Sequence, residues 1–210
     1  EAVACDCGDV DALTTLFAEV ETRHGRLDVL VNSVFAAHEF GRSVGKRMWE
    51  LDPAVWRDVV DLPGRAAYLA TALAAPLMIA SAREGDGGLI VNVSGRGALR
   101  YRYNVAYGVG KSAIARLNRD SAIELKPHDV AAIALWPNGH APDRDHGETP
   151  RYNGRAVAAL AADPRRMERS GRHFWSAELA ADYGFTDELG RNHPVGELTD
   201  GFSLEHDGPS

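Results

Sequence analysis

Three short apolar runs constrain the fold more than anything else in the chain: LDVLVN at residues 27–32, LIVNVS at 89–94 and VAAIALWP at 130–137. None shows the apolar–polar alternation of a strand with one wet face, so each predicts a strand buried on both sides. Strands of that kind belong to parallel sheets covered by helices, and the segments between the runs have helical spacing. A chain of 210 residues with 45% hydrophobic content can bury one such core, which predicts an α/β fold in a single domain over residues 1–190. A strand at the start (EAVACDC), a helix capped by Asp9 or Asp11 and ended by Gly25, and two short helices at 157–162 and 177–183 around a last strand at 173–175 complete the expectation. Residues 191–210 are polar and glycine-rich and predict a flexible tail.

Charge and composition exclude several function classes. The formal charge is −7, and no element concentrates Lys and Arg, which argues against a nucleic-acid partner. The longest apolar run, residues 66–80, contains Pro76 and is shorter than the ~20 residues a membrane span needs, so it predicts a buried helix. The two cysteines, Cys5 and Cys7, give no disulfide framework, and with no signal peptide in view the expected setting is the cytoplasm. Gly110-Lys111-Ser112 looks like the end of a phosphate-binding P-loop, but Val105 stands where that motif needs its first glycine. His140, Asp143, Asp145 and His146 lie on one loop without helical or strand register, and no metal site is expected.

Chemistry concentrates in NVAYGVGKSAIARLNRDSAIELKP, residues 104–127. Asn104 is the expected N-cap, Pro127 the stop, and Val109, Ala113, Leu117 and Leu125 form the stripe expected to face the core. Tyr107 and Lys111 then stand four apart on one face. A lysine ammonium beside a phenol favours the phenolate and lowers its pKa from about 10, which makes the pair a candidate for moving protons.

The order of the 27–32 and 89–94 strands, Tyr107-x-x-x-Lys111 and the 130–137 strand resembles the short-chain dehydrogenase/reductase family from its fourth strand onward. The resemblance covers nearly the whole chain and implies a Rossmann-like, doubly wound parallel sheet. It implies an NAD(P)-dependent oxidoreductase that moves a hydride between nicotinamide and a carbonyl or alcohol carbon of a small-molecule substrate. Carried over residue by residue, Tyr107 is the proton donor or acceptor, Lys111 tunes it and holds the cofactor ribose, and Ser94 hydrogen-bonds the substrate oxygen. Counting back from Tyr107 selects Ser94, while aligning the strand end selects Gly95. Asp6 matches the acid that bonds the adenine, and Asn32 and Pro137 line the nicotinamide side.

Other features depart from that family. Its first two βα units, with the glycine-rich pyrophosphate turn, have no counterpart before Glu1, so the domain reads as N-terminally truncated, and NAD cannot be chosen over NADP. The strand carrying Cys5 is expected to move in beside residues 28–31. Pro63 replaces an asparagine that orders a relay water, and residues 138–142 differ from the expected Pro-Gly segment. The alternative reading is therefore a non-catalytic fragment or pseudoenzyme that keeps the fold but binds no dinucleotide. The resemblance also implies a homodimer built on the 66–82 helix and the Tyr107 helix, with Ala70, Ala74, Ala75, Gly108, Ala115 and Ala122 expected to leave shallow outer surfaces.

Overall fold

The computed structural model describes residues 1–85, 87–138 and 147–196. Four parallel strands, β1 (Val29–Asn32), β2 (Gly88–Val93), β3 (Val130–Trp136) and β4 (His173–Trp175), pair in the order β1-β2-β3-β4. The register sets Leu30 beside Ile90 and Ile90 beside Ala132, so one row of side chains crosses the sheet. Every residue of β3 is buried, which explains why its run carries no alternation: both faces are covered.

Helices α4 (Leu62–Arg83) and α5 (Val105–Leu125) pack on one face, where Ala74, Met78, Ala122 and Leu125 meet Ile90, Val130 and Ala132. Helices α6 (Pro150–Ala162) and α7 (Ser176–Tyr183) cover the other, where Ala156, Leu160 and Leu179 meet Leu89, Val91 and Ile133. Helix α1 (Val10–His24) has Asp9 as N-cap, accepting from the amides of Asp11 and Ala12, and Gly25 as its left-handed C-cap. Short helix α2 (Ala37–Ser43) follows β1.

Three expectations need correction here. Residues 1–6 form no strand, so nothing pairs beside β1 from that segment. Asp6 instead closes a turn, its carboxylate accepting the Gly8 amide at 2.9 Å and its carbonyl the Asp9 amide at 3.0 Å, and these local bonds compete with a ladder. On α5 the core-facing residues are Ala106, Gly110, Ile114, Asn118, Ser121 and Leu125, whereas Val109 and Ala113 are exposed. Polar Asn118 and Ser121 hide this stripe from a hydrophobicity count. Likewise Ala70, Ala74 and Ala122 face the interior of the chain rather than a shallow outer surface.

Pro63 has a visible structural role. Helix α3 (Ala54–Trp56) runs through a π turn at Arg57–Asp61 into α4, and the Leu62 amide reaches the Arg57 carbonyl, five residues back. Pro63 lacks an N–H and its ring would crowd the Val59 carbonyl in a regular helix; the widened turn relieves that crowding. α5 crosses here at Gly110, where a Cβ would stand 2.3 Å from the Val59 oxygen. The two helices touch backbone to backbone one residue before Lys111. The result is a continuous helix over residues 54–83, long and apolar enough by length and composition to cross a membrane, with one face packed on the sheet.

Candidate active site

Ligands of open parallel sheets sit outside the carboxyl ends of the strands, and the chain has a cavity of about 470 Å³ there. Val34 and Phe35 enter it from the end of β1, Ser94 and Gly95 from β2, and Pro137 from β3. Tyr107 and Lys111 enter from the first turns of α5, whose start is fixed by the Asn104 side chain accepting the Tyr107 amide at 2.9 Å. Asn104 is itself anchored, its amide donating to the Ser43 carbonyl and hydroxyl at 3.1 and 3.0 Å.

Tyr107 and Lys111 share a face as expected, but their contact differs from the expected one. The Lys111 Nζ lies 4.6 Å from the Phe35 ring centroid and 5.6 Å from that of Tyr107, over aromatic faces. Burial pushes the Tyr107 phenol up to about 12, with Tyr103 raising it further and Arg102 and Arg96 pulling it down. Burial also lowers the Lys111 ammonium to about 8. Desolvation of both groups thus dominates over the expected lowering of the phenol by the ammonium. Phe40 and Tyr103 close the arrangement, each with its ring centroid about 5 Å from that of Tyr107.

The two serine candidates are placed differently. Ser94 is buried and its hydroxyl donates to the Lys111 carbonyl at 3.2 Å, tying β2 to α5. Gly95 is extended, and a Cβ built on it would stand 3.5 Å from the Tyr107 hydroxyl. The backbone of Gly97 lies against the Tyr107 ring, where a Cβ would stand 2.3 Å from Cε1. Position 95 therefore faces the phenol oxygen, and position 94 faces the helix backbone.

Of the other candidates, Pro137 lines the cavity, while Asn32 and Asp6 do not. Asn32 is buried and donates to Thr71 Oγ1 at 3.1 Å and Asn92 Oδ1 at 2.9 Å; Asn92 donates on to Asn118 at 3.1 Å. This network joins β1, β2, α4 and α5 just behind the site. Among the described residues no group of three or more His, Cys, Asp or Glu could hold a metal ion, and His140, Asp143, Asp145 and His146 lie outside them. So do residues 139–142 of the departing loop. The Arg- and Tyr-rich stretch before α5 does rim the cavity through Arg102 and Tyr103. Phe35, Phe40 and Trp175 gave no sequence signal as site residues, because their convergence depends on β1, α2 and β4 ending at one place.

A nicotinamide dinucleotide can be tested against these groups. Neither the Lys111 amine nor the Tyr107 hydroxyl has a hydrogen-bond partner among the described residues, so both remain available to the hydroxyls of a sugar and a substrate. The donors fit the nicotinamide-ribose end of the cofactor.

Comparison with known proteins agrees with this geometry. The short chain dehydrogenase family profile matches residues 1–152. The mouse (Mus musculus) dehydrogenase/reductase SDR family member 1 is 35% identical over 214 residues, covering 90% of this chain and 67% of its own. A metagenomic short-chain oxidoreductase solved in complex with NADP superposes with a TM-score of 0.62 at 29% identity, covering 78% of this chain and 67% of that one. An NADH-dependent reductase complexed with NAD shares the fold, with a TM-score of 0.69 at 19% identity over 82% of this chain and 71% of that one. The chain belongs to the short-chain dehydrogenase family of oxidoreductases, with the Rossmann-like α/β fold of that family.

Proposed function

We propose that this chain interconverts a carbonyl and an alcohol on a small-molecule substrate, using NAD or NADP. The carrying observation is the convergence, at the carboxyl end of the sheet, of a Tyr107 hydroxyl and a Lys111 amine in one cavity, neither with a hydrogen-bond partner among the described residues. The bound dinucleotide supplies or accepts the hydride. Tyr107, a neutral phenol at physiological pH, gives its proton to the substrate oxygen in reduction and takes it back in oxidation. Lys111 holds the ribose through its amine, Pro137 forms the wall of the nicotinamide side, and Asn32 fixes the end of β1 on that side through its bonds to Thr71 and Asn92. Ser94 fixes β2 against α5, and Asp6 stands at the entry of α1 as the adenine-side acid.

The chain acts as a homodimer in the cytoplasm in this reading. Its surface between α4 and α5 supports the dimer: Tyr68 is 59% exposed, and Tyr68, Ala72, Ala75 and Leu117 line a groove there. The test of function is calorimetric titration with NADH and NADPH, together with carbonyl-dependent oxidation of the cofactor. Tyr107→Phe should retain cofactor binding and lose turnover by about a hundredfold or more, the scale of a lost general acid. Absence of dinucleotide binding to the unaltered chain would favour the pseudoenzyme reading instead.

A further inference from the structure

The described lining of the cavity is positive in a chain that is acidic as a whole. In a chain of net charge −7, the charged side chains lining it among the described residues are Arg96, Arg102 and Lys111, with no Asp or Glu among them. Both arginines lie near enough to the Tyr107 hydroxyl to favour its charged form, though burial outweighs them. Arg102 is held by the face of its guanidinium, stacked 4.7 Å from the Tyr103 centroid, and no carboxylate pairs with it among the described residues. A guanidinium held over a ring keeps its N–H fork for other acceptors, and such a fork can bind a carboxylate by two parallel bonds. Tyr103 in turn lies edge-on to Tyr107 at 5.1 Å and to Phe40 at 5.0 Å, which sets the guanidinium one aromatic ring away from the phenol. Phe35, Phe40 and Trp175 add flat apolar surface to the same cavity.

We infer that the substrate is a carbonyl compound with a flat, aromatic body and an anionic group: the carbonyl meets Tyr107, the body lies between Phe40 and Trp175, and the anion is read by Arg102. The inference rests on the proposed oxidoreductase reading for which oxygen meets Tyr107, while the anion subsite stands on its own geometry. The same chemistry could come from a phosphate of the cofactor, so the test separates the two sources.

Calorimetry on the chain at low salt would compare 4-carboxybenzaldehyde with benzaldehyde, and NADP with NAD. The carboxylate should bind about tenfold tighter than the neutral aldehyde, the scale of one charge-assisted hydrogen-bonded contact. Arg102→Gln should abolish that preference, leave benzaldehyde affinity unchanged and leave NADP affinity unchanged; Arg102→Lys should restore part of it. Equal affinities of the two aldehydes, or a preference that survives Arg102→Gln, overturns the inference. A variant that weakens NADP while the carboxylate preference persists assigns Arg102 to the cofactor phosphate and also overturns it. The preference should survive Tyr107→Phe, so a chain that binds the carboxylate selectively but turns nothing over refutes the catalytic reading without touching this one.

Discussion

Lys111 reaches the Tyr107 ring rather than its oxygen, with Nζ 5.6 Å from the ring centroid and Phe35 covering the amine from the other side. Burial lowers the Lys111 pKa to about 8 against an ordinary value of 10.5. The unfolded chain therefore binds this proton more tightly than the folded one, and stability rises with pH between about 8 and 10.5. Lys111→Met should raise stability at pH 7, and the gain should shrink as pH approaches 10. Urea unfolding at both pH values checks this; a gain independent of pH would refute the burial argument.

Position 95 faces the phenol oxygen and carries no side chain. Gly95→Ser introduces a hydroxyl where a Cβ stands 3.5 Å from the Tyr107 hydroxyl, on extended backbone that any residue adopts. If reduction runs as proposed, kcat should rise by about tenfold or more, as for an added donor at a developing oxyanion. Ser94→Ala should lower stability modestly, by about 1 kcal/mol, through loss of its bond to the Lys111 carbonyl. A large loss of kcat in Ser94→Ala with no gain in Gly95→Ser would return the polarising role to Ser94.

Two glycines on α5 give a matched pair. Gly110→Ala places a methyl 2.3 Å from the Val59 oxygen and forces α5 away from the π turn, at a cost of about 2 kcal/mol or more. Gly108→Ala meets only the Gly97 oxygen at 3.6 Å, an ordinary contact, and should be neutral or stabilising by up to about 1 kcal/mol through helix propensity. Thermal unfolding of the two variants reads the difference directly.

Glu148 is fully buried, and among the described residues neither carboxylate oxygen makes a geometrically sound hydrogen bond, although the Asn138 amide, Ser176 and Asn153 lie near enough to favour its charge. Burial outweighs them and raises its pKa, so the folded state holds this proton more tightly than the unfolded chain. Its contribution is fully present below the ordinary pKa of 4.5 and is lost as pH rises through the elevated value. Glu148→Gln should stabilise the protein more at pH 8 than at pH 5 in denaturant titrations. Equal effects at the two values would show that the carboxyl is not desolvated.

The proposed dimer has a specific disruptor. Ala72→Glu charges an exposed position in the groove between α4 and α5 and should yield monomers by light scattering with the fold intact. Ala74→Glu, by contrast, buries a carboxylate against the sheet and should unfold the chain, since Ala74 has no exposed surface. Monomers for the unaltered chain across micromolar concentrations would rule the dimer out.

By itself the sequence determined the sheet, the helix that carries Tyr107 and Lys111, and the family. Strands buried on both faces announce themselves as unbroken apolar runs, and β2 and β3 fall where two of those runs lie; the 27–32 run, expected to be buried on both sides, forms the edge strand β1 with Val31 43% exposed. Caps at Asp9 and Asn104 are equally local, because a side-chain oxygen bonds an amide two or three residues on. Tertiary structure alone decided the rest. Residues 1–6 have strand composition but no ladder, since pairing needs an open partner edge at the right register. The inner stripe of α5 contains Asn118 and Ser121, whose burial is tolerable only because they find partners: Asn118 bonds Asn92 and the Arg172 carbonyl from distant elements. The same holds for the ionisation of the pair: spacing brings Tyr107 and Lys111 to one face, but which way each pKa moves depends on Phe35, Phe40 and Tyr103, delivered from β1, α2 and the loop before α5 to exclude water from both.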